Sequence, residues 1–398
     1  MSCQPLNSWK HLQYSPNRSI CMTAGGITAI HVRIRNATLP NSKEASVTLR
    51  HLNRQITPLV LRGFLALAPL LVSSRICSQV VPGSMDVHWK EGTSKCSDSS
   101  EPPLQVHSYN ERTFVLRENL CATFEAPFMY LLIGSRQALL IDTGDVADPN
   151  RMPLANTVLH LLPGDGSATL PLFVVHTHRH LDHRAGDGQF ASLPNTQVVG
   201  FDLENIRRFY HFTDWPNGFA QIDLGDRTVD VIPAPGHNET EVVFYDRNTA
   251  LLFSGDFLMP ARLLIDDTRA DLASAQRVAA FVKDRPVRYV LGGHIEMDAG
   301  GELFPWESQF HPHEHVLQMT KGDLIALPAA IKGFNGFYTR SGDFIMMNSM
   351  RILVAEAFLV VGAVGGLIWI VFRFVRRRKR ARKVWSKSKP RPATNCGE

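Results

Sequence analysis

A dense cluster of potential metal ligands follows a short apolar run in the middle of the chain. Leu172 to Val175 are four consecutive apolar residues, which predicts a buried β-strand. Directly after it comes the pattern H-x-H-x-D-H, formed by His178, His180, Asp182 and His183. Imidazole nitrogens and carboxylate oxygens are common ligands of divalent transition metals. Because one tight turn cannot wrap four ligands around one ion, the spacing indicates two neighbouring metal ions, each completed by residues from elsewhere.

Four other short turns present a metal-capable side chain after an apolar strand. The predicted strands cover residues 138–141, 227–233, 250–253 and 287–291. They are followed by Asp142 in DTG, His237 in PGH, Asp256 in SGD and His294 in GGH. Alone, each of these would be an ordinary loop residue. Because loops at strand ends carry the sites of α/β sheets, the five turns together predict a metal-binding site.

The distribution of charge argues against a nucleic-acid-binding protein. The net charge is +5, but the chain from Arg351 onward holds 12 of the 42 Lys and Arg and only two of the 37 acidic residues. The preceding residues therefore carry 30 basic and 35 acidic side chains. A protein that acts on nucleic acid would carry its positive charge on the domain that does the chemistry. We therefore predict no nucleic acid partner.

The first 104 residues predict a leader and a linker rather than a packed unit. Residues 1–55 are polar and are expected to be disordered. Residues 56–78 contain a core of about ten apolar residues, too short to span a bilayer and typical of a signal peptide, with Arg62 and upstream arginines as its basic flank. A buried helix of a soluble domain is the alternative interpretation. Residues 79–104 are rich in Ser, Gly, Lys and Asp and are expected to form a linker.

A second hydrophobic segment near the C-terminus predicts a membrane anchor. Ile352 to Phe372 contain one charge in 21 residues, which is long enough to span a bilayer. A basic run from Arg373 to Lys383 follows, and such runs lie on the cytoplasmic side. We therefore expect a transmembrane helix at 352–375 and a cytoplasmic tail at 376–398. The domain before the helix would then lie outside the cytoplasm, in the periplasm or at the exterior.

Two smaller features depend on this topology. Gly362 and Gly366 form a G-x-x-x-G spacing, which allows a homodimer through the helix but is weak evidence for one in a Gly-rich segment. Cys96 and Cys121 are the cysteines left in the exported domain. An oxidising compartment permits them to form a disulfide, but the sequence does not give the distance between them.

The five motifs, in this order, resemble those of the metallo-β-lactamase superfamily: the DTG turn, HTHRHLDH, PGH, SGD and GGH. The resemblance covers roughly residues 106–330, within a domain expected at 105–345. It implies an α/β fold, a four-layer αβ/βα sandwich of two β-sheets with helices outside. The metals would lie in a cleft along one edge of this sandwich.

The resemblance also implies a role for each residue. His178, His180 and His237 would hold the first metal, Asp182, His183 and His294 the second, and Asp256 would bridge the two. Asp142 and His176 would support the ligands from behind; for His176, a loop residue without such a role is the alternative.

Departures from individual branches of the superfamily narrow the expected chemistry. The best-known lactam-cleaving subclass has Cys where this chain has Asp256, so β-lactam hydrolysis is not favoured. Diiron oxygen-reducing members have Glu in place of His180, which favours two Zn²⁺ over iron or manganese. Nuclease members carry an inserted domain that does not fit between Asp256 and His294, which are 38 positions apart. The remaining resemblance is to glyoxalase II and lactonases, although the sequence contains no clear basic patch for a glutathione carboxylate.

We therefore expect a membrane-anchored dizinc hydrolase that cleaves an ester, thioester or lactone of a small molecule. A metal-bridging hydroxide would attack the carbonyl carbon, and Asp182 is the candidate catalytic residue that orients the nucleophile and shuttles a proton. A non-catalytic metal-binding sensor and an iron-dependent oxidative enzyme are the alternatives. A histidine-rich stretch at 310–315, FHPHEH, is interpreted as a solvated loop, with a pocket rim or a third metal site as alternatives.

Overall fold

Two six-stranded β-sheets and a small third sheet form the centre of the structure, a computed structural model that describes residues 80–164 and 170–387. The expectations for residues 1–55 and 56–78 fall outside the described residues. The strands are β1 (Leu104–Asn110), β2 (Thr113–Glu118), β3 (Phe128–Ile133), β4 (Ala138–Ile141), β5 (Leu172–Val175), β6 (Thr196–Val198), β7 (Ala220–Asp223), β8 (Thr228–Pro233), β9 (Val242–Asp246), β10 (Leu251–Gly255), β11 (Ala261–Leu264), β12 (Tyr289–Gly292), β13 (Gln318–Met319), β14 (Tyr338–Ser341) and β15 (Phe344–Met347). The helices are α1 (Leu154–Leu161), α2 (Leu203–Phe209), α3 (Thr268–Val282), α4 (Lys321–Lys332) and α5 (Ser349–Lys387).

Both large sheets combine antiparallel and parallel strands. The first has the order β1-β2-β3-β4-β5-β6 and is antiparallel up to β4 and parallel from β4 to β6. The second has the order β13-β12-β10-β9-β8-β7, in which only β10 and β12 pair in parallel. The third contains β11, β15 and β14. Parallel neighbours end at the same edge of a sheet, so the loops after them lie together.

The two large sheets pack face to face, and their central strands β3, β4, β9 and β10 are buried on both faces. On β3, Tyr130 and Leu132 belong to the core shared with the second sheet, while Leu131 and Ile133 pack with α1. The outer face of the second sheet is covered by α3 and α4. Strands buried on both faces read as continuous apolar runs, which is why FMYLLI and ALLI are fully buried. The four-layer αβ/βα sandwich is confirmed.

The segment expected to be a linker, residues 79–104, packs against the domain instead. Met85 and Trp89 are buried in the core between the sheets, and the Trp89 ring lies 4.9 Å from that of Phe128. Cys96 forms a disulfide with Cys121. Because the segment is polar in composition, the burial of Met85 and Trp89 was not predicted. Burying these two apolar side chains offsets the entropy of ordering the chain around them.

The apolar C-terminal segment forms one long helix. Helix α5 has 39 residues, and its apolar side chains from Phe358 to Val375 are exposed. Within the described part of the chain, Ser349–Lys383 is the one helix long and apolar enough to cross a membrane. The expected span of 352–375 lies inside α5, and the helix continues into the basic residues as far as Lys387.

Candidate metal centre

Parallel strand pairs bring the predicted site residues to one end of the sandwich. In the first sheet Ile141 pairs with Val175, so the loops that carry Asp142 and His178 leave the same edge. In the second sheet Gly255 pairs with Gly292, which brings the next residues, Asp256 and Gly293, side by side. The two edges are joined where the Val242 N–H donates to the Thr177 carbonyl at 2.8 Å.

Three histidines form a first cluster of converging nitrogen atoms. His180 Nδ1 lies 3.0 Å from His178 Nε2 and 3.0 Å from His237 Nε2. The Oδ2 atom of Asp256 approaches the same group, 3.5 Å from His237 Nε2 and 4.0 Å from His178 Nε2. His178 is completely buried, whereas His180 is partly exposed to the cleft.

A second cluster contains two histidines and a carboxylate. His183 Nε2 lies 3.2 Å from His294 Nε2, and Asp182 Oδ2 lies 3.3 Å from each of these nitrogens. The Oδ1 atom of Asp256 lies 3.4 Å from His183 Nε2 and 3.6 Å from His294 Nε2. Asp256 therefore directs one oxygen at each cluster.

The donor sets fit divalent metal ions. Ligands about 2.1 Å from a tetrahedral zinc ion lie about 3.4 Å from one another, close to the separations in both clusters. Among the described residues, three groups bring their donor atoms within 4.8 Å of one another: His178 with His180 and His237, His178 with His183 and Asp256, and Asp182 with His183 and His294. In addition, Asp256 Oδ1 is buried and has no hydrogen-bond partner. A buried carboxylate oxygen without a partner is costly unless a cation neutralises it.

Hydrogen bonds from the rear nitrogens to backbone carbonyls orient two of the imidazole rings. His237 Nδ1 donates to the Leu264 carbonyl at 2.8 Å, and His294 Nδ1 donates to the Glu125 carbonyl at 2.7 Å. A rear donor of this kind fixes the tautomer and leaves the Nε2 lone pair free for a metal.

Asp142 supports His183 in the manner expected from the sequence. Its Oδ2 atom lies 3.0 Å from His183 Nδ1, and the same carboxylate accepts hydrogen bonds from the backbone and hydroxyl of Thr177. The backbone of Asp142 is in the left-handed region, with φ 66°. A non-glycine residue in that region carries strain, which the three contacts of its carboxylate offset.

His176 is not brought to either cluster. It is buried, and its Nε2 lies 3.3 Å from Asp187 Oδ2. The other oxygen of Asp187 accepts from the Thr143 hydroxyl at 2.9 Å. Among the described contacts, His176 therefore belongs to the packing behind the metal loop and touches none of the candidate ligands.

The two clusters differ in their electrostatics. In the first, burial lowers the pKa of His178 well below its usual value, and burial followed by repulsion from His237 lowers that of His180. In the second, burial also opposes the charged form of His294, but the carboxylates of Asp256 and Asp182 raise its pKa to about 10. His183 is raised in the same way, against its own burial, by Asp182 and Asp256. Imidazoles of the second cluster must therefore lose a proton when they bind metal.

The FHPHEH stretch forms part of a buried polar network. Glu314 makes a bidentate ion pair with Arg117, with N–O distances of 2.6 and 2.7 Å, and His311 Nδ1 lies 2.9 Å from Glu314. Arg117 Nε also donates to the Ala126 carbonyl at 3.5 Å, next to the Glu125 carbonyl that orients His294. The interpretation of this stretch as a solvated loop is therefore wrong for His311, which is buried, and for Glu314, whose side chain is only 6% exposed.

Sequence reasoning missed one further buried acid near the site. Glu118 is fully buried and accepts hydrogen bonds from the backbone N–H groups of Asp145 and Val146, in the turn that follows Asp142. Burial raises the pKa of Glu118 to about 8. An acidic residue at the end of the run TFVLRE gave no signal of this role, because its partners lie in a different loop.

The fold and the two ligand clusters define a metal-binding enzyme built on a two-sheet sandwich. Residues 122–294 match the family model of the metallo-beta-lactamase superfamily. This part of the chain belongs to the metallo-β-lactamase superfamily, and the expectation of a metal-dependent hydrolase of that superfamily is confirmed.

Curated relatives of the chain are hydrolases. It is 27% identical over 231 residues to the acyl-coenzyme A thioesterase MBLAC2 of Gallus gallus, covering 50% of this chain and 82% of the relative. The corresponding human protein is 25% identical over 237 residues, covering 51% and 85%. A hydroxyacylglutathione hydrolase from Aeromonas hydrophila is 29% identical over 165 residues, covering 40% and 59%. Among solved structures, a metallo-beta-lactamase from Pontibacter korlensis has a TM-score of 0.39 and 17% identity, covering 57% and 99%.

Proposed function

We propose that the protein is a membrane-anchored dizinc hydrolase of thioesters. The observation that carries the proposal is the pair of ligand clusters that share Asp256, whose two oxygens point to different clusters. The first ion would be held by His178, His180 and His237, and the second by Asp182, His183 and His294, with Asp256 between them. The choice of a thioester is supported by the relatives, which are named as an acyl-coenzyme A thioesterase and a hydroxyacylglutathione hydrolase.

Two bound zinc ions would polarise the substrate carbonyl and lower the pKa of a shared water molecule toward 7. The chain supplies the geometry for this chemistry. Rear hydrogen bonds hold His237 and His294 in position, and burial lowers the pKa of His178 and of His180, which favours their neutral forms. Neutral imidazoles need no proton release before they donate a lone pair.

Asp182 is the proposed catalytic residue. Its side chain is 21% exposed, so it reaches both the second cluster and the cleft. Although burial favours the neutral form, His183 and His294 hold the pKa of Asp182 far below its usual range, so it remains a carboxylate at neutral pH. A carboxylate there accepts a hydrogen bond from the attacking water and orients it. The departing thiolate is a good leaving group, with a pKa of about 8.5 in free cysteine, and needs little help from an acid.

The proposed reaction is tested with the full-length protein and one acyl group presented as a thioester, an oxygen ester and a lactone. The metal-free protein, the zinc-loaded protein and the iron-loaded protein are compared, and hydrolysis of all three substrates is followed by the acid that is released, titrated at constant pH. We expect zinc-dependent turnover that is fastest on the thioester. Zinc binding without turnover of any of the three would contradict the proposal and would favour a sensor.

We also propose that α5 spans a membrane with the hydrolase domain outside the cytoplasm. The apolar, exposed surface of α5 and the basic residues after it support this orientation. The disulfide between Cys96 and Cys121 supports it as well, since disulfides persist in oxidising compartments. Protease digestion of intact cells tests the topology: the domain should be cleaved and the basic tail protected, and the reverse pattern would contradict it.

A homodimer through α5 is a further part of the proposal. The space around Gly362 and Gly366 is open, so a second helix could approach closely there. Cross-linking in the membrane should capture a dimer of the wild-type protein, and Gly362→Leu should abolish it. If the wild-type protein and the variant are both monomers, the proposed homodimer is contradicted.

A further inference from the structure

Arg184 follows the proposed ligand His183 directly and is held in one conformation. Its Nε donates to the Arg179 carbonyl at 2.7 Å, and its guanidinium carbon lies 3.8 Å from the centroid of the Phe201 ring. These contacts use Nε and one face of the guanidinium. The two terminal nitrogens are left for another partner, and the fork they form is already oriented.

Arg184 has no carboxylate partner among the residues that the structure describes. The contrast is Arg179, five positions earlier in the same loop, which forms an ion pair with Glu239. Arg184 is half-buried rather than fully solvated. A half-buried, pre-oriented guanidinium without a counter-ion is suited to binding an anion from outside the chain.

Arg184 lies at the rim of the candidate metal centre. The carbonyl that it contacts belongs to Arg179, which stands between the proposed ligands His178 and His180. Phe201 comes shortly after β6, and β6 runs parallel to β5, so Phe201 leaves the sheet at the edge from which the metal loop starts. The cation and its aromatic support are therefore presented together at the end of the sandwich that holds both clusters.

We propose that Arg184, backed by Phe201, binds an anionic group, a phosphate or a carboxylate, on the thiol half of the substrate. The inference rests on the proposed thioester hydrolysis. An anionic substrate that approaches this site meets Asp182 and Asp256 and a domain that carries more acidic than basic residues. Arg184 would offset that repulsion and set the orientation of the thiol half. It takes the place of the basic patch that the sequence did not contain.

The test uses the full-length, zinc-loaded protein and three thioesters with the same acyl group. The thiol halves are coenzyme A, which carries phosphates, glutathione, which carries carboxylates, and N-acetylcysteamine, which is uncharged. For Arg184→Gln we expect the ratio of kcat/KM on an anionic thioester to kcat/KM on the uncharged one to fall about tenfold, mainly through KM, because a charge-assisted hydrogen bond is lost. A fall confined to coenzyme A assigns a phosphate, and one confined to glutathione assigns a carboxylate.

Arg179→Gln is the matched control, because it removes the same charge from the same loop at a residue that already has a partner. It should leave the ratio unchanged. If Arg184→Gln also leaves it unchanged, or lowers it no more than Arg179→Gln does, the inference is overturned. Zinc content of each variant is measured alongside, since a fall on all three thioesters with loss of zinc would mean that Arg184 only holds the loop, which also overturns the inference.

A second measurement needs no variant. Added salt screens charges near the surface, so in the wild-type protein the ratio should decline with ionic strength, and a ratio independent of salt would contradict a role for Arg184. A different result would contradict the proposed function itself: a wild-type protein that does not hydrolyse even the uncharged thioester.

Discussion

The two ligand clusters arise from the same kind of strand end but differ in charge. The first is made of three imidazoles, of which His178 and His180 have their pKa lowered by burial. The second includes Asp182, and His183 is supported by a second carboxylate, that of Asp142. Burial among other histidines therefore favours the neutral forms of His178 and His180, whereas burial beside carboxylates favours the charged forms of His183 and His294. The first is suited to holding an ion, and the second to holding an ion and reacting.

The largest effect expected from this comparison is on turnover. Asp182→Asn keeps the shape of the second cluster but removes the negative charge that orients the nucleophile. We expect kcat to fall by about 10²–10⁴-fold, with much of the zinc still bound. The measurement is steady-state thioester hydrolysis together with metal analysis. Asp187→Asn, an acid of the same loop that contacts His176 and Thr143, is the control, and wild-type turnover in Asp182→Asn would rule out the proposed role.

The next effect concerns the buried ion pair behind the second cluster. Arg117 and Glu314 have side chains only 3% and 6% exposed, so Arg117→Met leaves a buried carboxylate without its partner. We expect the free energy of unfolding to fall by about 3–5 kcal/mol, measured by denaturant titration. Arg112→Met breaks the exposed pair with Asp226, whose side chains are 42% and 48% exposed, and should cost less than about 1 kcal/mol. Equal losses of unfolding free energy in Arg117→Met and Arg112→Met would show that burial does not determine how much an ion pair contributes to stability.

The next expected effect is smaller and concerns zinc affinity, which should change at one cluster and not at the other. Asp142 contacts His183 of the second cluster, and no ligand of the first cluster accepts a hydrogen bond from it or donates one to it among the described contacts. We expect Asp142→Asn to weaken binding of one zinc ion about 10–100-fold, as losses of such supporting contacts do, and to leave the other ion unaffected. Competition titration with a chelating dye measures both affinities in one protein. Equal weakening of both ions would contradict the division into two clusters.

The last expected effect is a pH dependence of stability. Glu118 has a pKa of about 8 in the folded protein because of burial, against an ordinary value near 4.5. Between these two pH values the unfolded chain has lost the proton and the folded chain has kept it, so stability falls as pH rises, by up to about 1.4 kcal/mol per pH unit. Glu118→Gln should remove this slope. Denaturant midpoints at pH 5, 6.5 and 8 measure it, and identical slopes in the two proteins would contradict the assignment to Glu118.

The residues of both clusters could be selected from the sequence because each lies within eight positions of the end of its strand, and their roles as ligands stay a prediction. The pairing of β4 with β5 and of β10 with β12 then brings those strand ends together without further information. The four-layer sandwich was expected from the resemblance of the five motifs to the metallo-β-lactamase superfamily, because the strand pattern alone gives the strand ends but not the layers.

The supporting contacts could not be predicted, because they join residues far apart in the chain. Arg117 and Glu314 are separated by 197 positions, and the carbonyl of Glu125 by 169 from the histidine that it orients. Such pairs depend on sheet register and on the path of loops, which local sequence does not encode. The burial of Trp89 in a segment of polar composition was missed for a related reason, since one aromatic residue is enough to dock a strand-like segment.

The proposed thioester hydrolysis depends on the two clusters acting as one binuclear centre through Asp256. The most direct test is a titration of the metal-free, full-length protein with Zn²⁺, in which bound zinc and thioester hydrolysis are measured at each addition. We predict little turnover after the first equivalent and most of it after the second. Full turnover with one equivalent bound, or two equivalents bound with no turnover, would contradict the account.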